Sequence, residues 1–225
     1  NNYLTGKSKH LFLNDEGIIN LVIPDGVTTI GKNAFSKSKI EEVELPEGMT
    51  TVAAGAFEPR IGFDNLKAVT LPSTLKYLGD GAFQGQANLK QVTIKNTVVP
   101  QSINDMGNVS DMLNGCFAGI ASDAVLNVPY DCIDTYFYPG SDWNNWFATI
   151  DDGSYLTAET DEKLTMSFHI SSMGEMTAEV KGKPISEMEN ELAVDANATE
   201  VTIPMRVEGY KVTSIREYAF VNHGN

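Results

Sequence analysis

Cationic side chains, histidine, cysteine and long apolar runs are all scarce in this 225-residue chain, and each scarcity removes a class of function. Sixteen Lys and Arg stand against 30 Asp and Glu, a formal charge of −14. So acidic a chain gains little from counterion release on a phosphate backbone or an anionic lipid surface, which argues against nucleic-acid and membrane-surface partners. No apolar run approaches the roughly 18 residues that cross a bilayer, so the segment is not expected to insert directly into a membrane. Two cysteines, Cys116 and Cys132, are too few for a disulfide framework and lack the C-x-x-C spacing of zinc or thiol-redox sites. The histidines His10, His169 and His223 lie in three separate segments, which disfavours a shared acid–base site. With 42% hydrophobic and 20% charged residues, the chain has the balance of a folded protein of one or two domains.

What is present is a repeat. LVIPDGVTTIGKNAF (21–35), VELPEGMTTVAAGAF (43–57) and VTLPSTLKYLGDGAF (69–83) superimpose without a gap. Pro24, Pro46 and Pro72 each lie 11 residues before Phe35, Phe57 and Phe83. Within each unit a first apolar set recurs: Ile18, Leu21 and Ile23, then Ile40, Val43 and Leu45, then Leu66, Val69 and Leu71, then Leu89, Val92 and Ile94. Alternation turns Val43 and Leu45 to one face and Glu42 and Glu44 to the other, the pattern of a half-buried strand. Proline, lacking an N–H, ends that strand and turns the chain. A second extended piece carries Val27 and Ile30, Met49 and Val52, or Leu75 and Leu78. The closing small residue and phenylalanine predict an aromatic spine of Phe35, Phe57, Phe83 and Phe117. If its ring is fully buried, Phe57→Ala is expected to cost about 3–5 kcal/mol. The segment EPRIGFDN (58–65) is longer than its counterpart SKSK (36–39) and reads as a loop enlargement on one surface.

Units that bury only one edge must stack, so the expected fold is a solenoid. The spacing fits leucine-rich repeats of roughly 20–29 residues, with one strand per coil lining a curved sheet. The signature L-x-x-V-x-L-P-x-x-L-x-x-I-G-x-x-A-F, best matched by residues 66–83, resembles the BspA-like (Treponema-type) leucine-rich repeat of bacterial cell-surface proteins. The resemblance covers roughly 18–137 and resumes at 201–220. It implies a right-handed coil array displayed at the cell surface or outside the cell, without enzymatic activity or cofactor. It also implies adhesion to host proteins or other cells.

The departures shape the domain plan. The fourth unit has Lys95 where proline is expected and reaches Cys116-Phe117 only after the polar stretch 101–115. The fifth, AVLNVPYDCIDTYF (124–137), keeps Pro129 but runs into YPGSDWNNWFATI. Tyr136, Phe137, Trp143, Trp146 and Phe147 concentrate there as a terminal cap over the last coil. Residues 1–150 therefore read as the capped array. Residues 151–200, with Leu164, Met166, Phe168 and Ile170 alternating, read as a β-hairpin segment between arrays. VTIPMRVEGYKVTSIREYAF (201–220) opens 201–225, read as the first coil of a second, truncated array, so a parent protein longer than this segment is expected.

No constellation of catalytic, cofactor or metal residues stands out. His169, on the polar phase of its strand, is expected to face solvent. Cys116 falls at the position of Ala34, Ala56 and Ala82, and Cys132 at that of Val27, Met49 and Leu75, so both are expected as buried thiols rather than a bridge. Asp105, Asp111, Asp123, Asp131, Asp134 and Asp142 lack the D-x-[DN]-x-[DN]-G calcium pattern and read as a solvated acidic face. Asn108 and Asn197 open glycosylation-type triplets, which carry no meaning in a bacterial protein. Glu41, Glu42 and Glu44 are expected to pair across strands with Lys67 and Lys90.

The strand positions facing away from the core can vary without disturbing it, and they form the candidate interaction surface: Glu42, Glu44, Lys67, Thr70, Gln91, Thr93 and Asn127. The expected partner is an extracellular or host protein, with a glycan as the alternative ligand. A structural spacer and a glycan-processing enzyme built on the Asp-rich loops 101–142 are the competing functions.

Overall fold

The computed structural model describes residues 3–4, 12–13, 16–17, 20–104, 106–110, 114–136, 142–181, 193, 200–216 and 219–220. Ile18, Asp105, Asp111, Phe137, His10, His223 and the triplet at Asn197 lie outside them. The described residues fall into two compact units, one ending at Asp151 and the other beginning at Asp152.

The first unit is a parallel β-solenoid carrying two strands in most coils, not one. Sheet I stacks Asn20–Val22, Glu42–Glu44, Ala68–Leu71, Gln91–Ile94, Val125–Asn127 and Thr149–Asp151 in sequence order. Every pairing in it is parallel and in register, as in Val43 beside Val69 beside Val92. Sheet II stacks Tyr3–Leu4, Thr29–Ile30, Thr51–Val52, Tyr77–Gly79 and Gln101–Ile103, and ends on the antiparallel Val109–Ser110. The short second pieces qualify as strands because each finds an identical piece in the neighbouring coils. Tyr3–Leu4 pairs with Thr29–Ile30, so the array begins ahead of residue 18.

A third ladder closes each coil. Phe35, Phe57 and Phe83 donate their N–H groups at 2.8 Å to the carbonyls of Ala56, Ala82 and Cys116, each in the next coil. The residue two before each phenylalanine, Asn33, Gly55, Gly81 or Gly115, sits at φ 54 to 61°. That left-handed turn suits glycine, and asparagine tolerates it. Gly79 answers a different demand: a Cβ there would lie 2.1 Å from the backbone nitrogen of Ala54, so adjacent coils touch backbone to backbone. The coil interior holds the alternating set, with Ile40, Val43, Leu45, Leu66, Val69, Leu71, Leu89, Val92 and Ile94 all buried.

Phe35, Phe57, Phe83 and Phe117 form the spine, consecutive ring centroids 5.0 Å apart. The stack continues into the cap, where Phe117 meets Trp143, Trp146 and Phe147. Trp143 is fully buried and Trp146 half-buried, so the tryptophans serve mainly as cap core. Tyr136 reaches back from the short helix Ile133–Tyr136 to donate to the Asn96 carbonyl at 2.6 Å, and burial raises its phenolic pKa.

The enlarged loop 58–65 is tied down by a residue that the repeat pattern did not single out. Buried Gln86 donates through Nε2 to the Phe57 carbonyl at 2.7 Å and accepts at Oε1 from the Leu66 N–H at 3.3 Å, bridging both ends of the insertion. Gln86→Leu leaves those groups without partners and is expected to cost about 1–3 kcal/mol. Urea unfolding followed by circular dichroism checks this; a loss below about 0.5 kcal/mol would mean that the loop holds itself.

Both cysteines are free thiols. Cys116 is buried as expected, donating to the Gly79 carbonyl at 3.2 Å, and burial pushes its pKa up to about 12. Cys132 is only half-buried, which corrects the core position assigned to it. Asp131 turns the chain through φ 59°, the helix Ile133–Tyr136 begins, and Ile133 takes the buried place instead. In the native protein Cys132 is expected to react with a thiol reagent at neutral pH while Cys116 stays inert until unfolding. Peptide mapping after timed alkylation reads this directly, and equal labelling of both would contradict it.

The second unit is one five-stranded sheet, ordered Tyr155–Glu159, Thr165–Ser172, Thr177–Val180, Tyr210–Ile215, Arg206–Val207. The first three run antiparallel, the hairpins expected of residues 151–200. Tyr210–Ile215 then pairs in parallel with Thr177–Val180, so the opening of segment 201–225 is built into this sheet. Met166, Phe168, Ala178, Val180 and Val207 form its core, with Phe220 packed against them. Thr202 clips the turn before the second strand, donating to Glu162 through its hydroxyl at 2.6 Å and its N–H at 3.1 Å; those bonds hold the Glu162 carboxyl down at about 2.

His169 is not on open surface, a correction to the expectation. Register sets Tyr155, His169, Glu179 and Ser214 side by side across four strands. The imidazole is half-buried, its ring 5.1 Å from that of Tyr155 and its Nδ1 3.3 Å from Oε1 of Glu179. Arg216 donates to the same Glu179 oxygen at 2.9 Å. Strand polarity was read correctly, but a polar row also packs when four strands carry it together.

Candidate interaction surface

The outward positions of sheet I fall into two straight rows, because parallel in-register pairing sets equivalent residues side by side at about 4.8 Å. One row runs Glu42, Ala68, Gln91, Val125, Thr149 and the other Val22, Glu44, Thr70, Thr93, Asn127, Asp151. Six of the seven candidate residues stand in these rows, and Lys67 immediately precedes Ala68. The structure thus brings all seven together. Glu42, Glu44, Lys67 and Gln91 are exposed, while Thr70, Thr93 and Asn127 are half-covered by their neighbours. Asn127 donates to Gln91 across the rows at 3.2 Å.

Ion pairs frame the surface, in a different combination from the expected one. Lys67 bonds Glu41 at 2.7 Å. Lys90 pairs instead with Asp123 at 2.6 Å, drawing that carboxyl below its ordinary range. Glu44 is bonded at 2.7 Å by Lys95, which reaches across the intervening coil, and this bond raises the lysine pKa. Lys95 occupies the place of the missing proline, so the fourth unit's departure from the repeat supplies a cation to the surface. Pairwise alignment could not show this, since the two residues are 51 positions apart.

Between the ion pairs the surface is made of short uncharged side chains: Ala68, Thr70, Gln91, Thr93, Val125 and Asn127. It is suited to hydrogen bonding and close approach rather than to proton transfer. Among the described residues, no group of three or more His, Cys, Asp or Glu converges as metal ligands, and no helix is long and apolar enough to cross a membrane.

Coils with in-register parallel strands, an inward phenylalanine stack and an outward face free to vary define a leucine-rich repeat solenoid. The BspA type leucine rich repeat region matches residues 7–117 in six copies, and this part of the chain belongs to that family. The solenoid outruns the match, since Val125–Asn127 and Thr149–Asp151 extend sheet I beyond it. Repeats of this family are typically non-enzymatic, interaction-type modules of cell-surface proteins. No curated protein and no solved structure matches the chain.

Proposed function

We propose that this chain is a non-enzymatic adhesion module, acting outside the cell or at its surface, that binds a protein ligand through the outward face of sheet I. The observation carrying this reading is the pair of aligned rows, in which Glu42, Glu44, Thr70, Gln91, Thr93 and Asn127 share one surface while their strand neighbours are buried. A surface so separated from the core can be shaped to a partner without loss of fold. Its frame of ion pairs gives orientation and salt dependence to an encounter.

The test is binding of the full chain to a panel of extracellular-matrix proteins and glycans at two salt concentrations. Saturable binding to a protein of the panel, weakened by salt, is the expected result. Binding confined to glycans would change the ligand class, and absence of binding across the panel would favour a spacer that presents another domain.

A further inference from the structure

The two interruptions of the repeat, the loop 58–65 and the excursion entered at Asn104, flank a groove of about 670 Å³. That volume is within the ~300–1,000 Å³ of ligand clefts. Its lining comes from the turns that follow the strands of sheet II, not from sheet I, so it is a second surface of the array.

Gly55 forms part of its wall. A Cβ on this residue would lie 2.6 Å from Oδ1 of Asn33 and 3.0 Å from Oε2 of Glu58. The absent side chain therefore lets a carboxamide and a carboxylate converge over bare backbone. Neither side chain, nor the guanidinium of Arg60 in the same groove, makes a hydrogen bond or ion pair with any described residue. Asp80 adds a further carboxylate, braced by Ser102 at 2.9 Å and Asn114 at 3.2 Å. On the lining, Ile61 is fully exposed and Met106 is 82% exposed.

Oxygen acceptors within, aliphatic side chains alongside and a chain of net charge −14 match an ammonium carried on a hydrocarbon stem. No aromatic side chain lines the groove to stack on a sugar ring. Arg60 provides donors for a backbone carbonyl beside such a stem. We propose that this groove binds a lysine side chain of an extended segment on a partner protein. The ammonium lies against Asn33 and Glu58, the stem packs on Ile61 and Met106, and Arg60 bonds the peptide backbone.

The probe is a blocked peptide, acetyl-Gly-Leu-Lys-Leu-Gly-amide, titrated into the full chain by calorimetry beside the same peptide with its lysine Nε-acetylated. Saturable binding of the lysine peptide is expected. Acetylation should weaken it about tenfold, as loss of a charge-assisted hydrogen bond does, and so should Glu58→Gln. Ile61→Ser should weaken it less, and Glu42→Gln on sheet I should leave it unchanged, so failure here is distinguishable from failure of the sheet I proposal. Glu58 and Ile61 are exposed, and an unchanged urea midpoint is expected for both variants. Equal affinity for the two peptides, no saturable binding of the lysine peptide, or no effect of Glu58→Gln would overturn the proposal. Binding of a neutral oligosaccharide abolished by Glu58→Gln would also overturn it, by making the groove a glycan site.

Discussion

Phe57→Ala is expected to destabilise the array by about 3–5 kcal/mol, the range for deleting a fully buried phenylalanine. Its ring is 1% exposed and lies between Phe35 and Phe83, both centroids at 5.0 Å. The cavity cannot readily refill, because the rings on either side are set by the backbone ladder that joins each coil to the next. Stability in a solenoid is a sum of coils and the interfaces between them, and this substitution damages two interfaces at once. Urea unfolding should therefore show a lower midpoint and a shallower transition as the coils on each side uncouple. Phe57→Leu restores much of the volume and should recover most of the loss, leaving about 1 kcal/mol for the missing ring stacking. A cost below 1 kcal/mol for Phe57→Ala would mean that the spine is incidental to stability.

The second large effect is expected at the cap. Trp143 is buried, 5.5 Å from Phe117, edge-on to Tyr136 at 5.3 Å and stacked on Phe147 at 6.0 Å. Trp143→Ala removes this plug, at an expected cost of about 3–5 kcal/mol, and uncovers the last phenylalanine of the spine. An uncapped solenoid end exposes apolar surface, so the variant should also bind a hydrophobic dye and self-associate in light scattering as concentration rises. Trp146→Ala, at a half-buried position, should do less of each. Equal and small effects of the two substitutions would locate the cap elsewhere.

The spine and cap were legible in the sequence because their residues recur at fixed offsets, and an offset repeated three times specifies coil, register and face together. The same reasoning placed Glu42, Glu44, Thr70, Gln91, Thr93 and Asn127 on one face, since alternation within a strand and identity of register between strands suffice for that. What escaped were interactions that depend on departures from the repeat. Gln86 works only because the loop 58–65 is enlarged, and Lys95 reaches Glu44 only because proline is missing. Cys132 left the core where a helix replaced the second strand. His169 was given to solvent because one strand's alternation cannot reveal that Tyr155, Glu179 and Ser214 complete a row beside it. A repeat announces its own geometry, whereas each exception has to be seen against its neighbours in space.

The account's central claim is that binding resides on the outer rows of sheet I and is energetically separate from the core. The most direct measurement is ligand binding and urea unfolding, made in parallel on the full chain carrying Glu42→Ala, Gln91→Ala and Asn127→Ala together. Saturable binding lost with the unfolding midpoint unchanged is the predicted result. Binding retained at full affinity in a variant that is equally stable would contradict the claim.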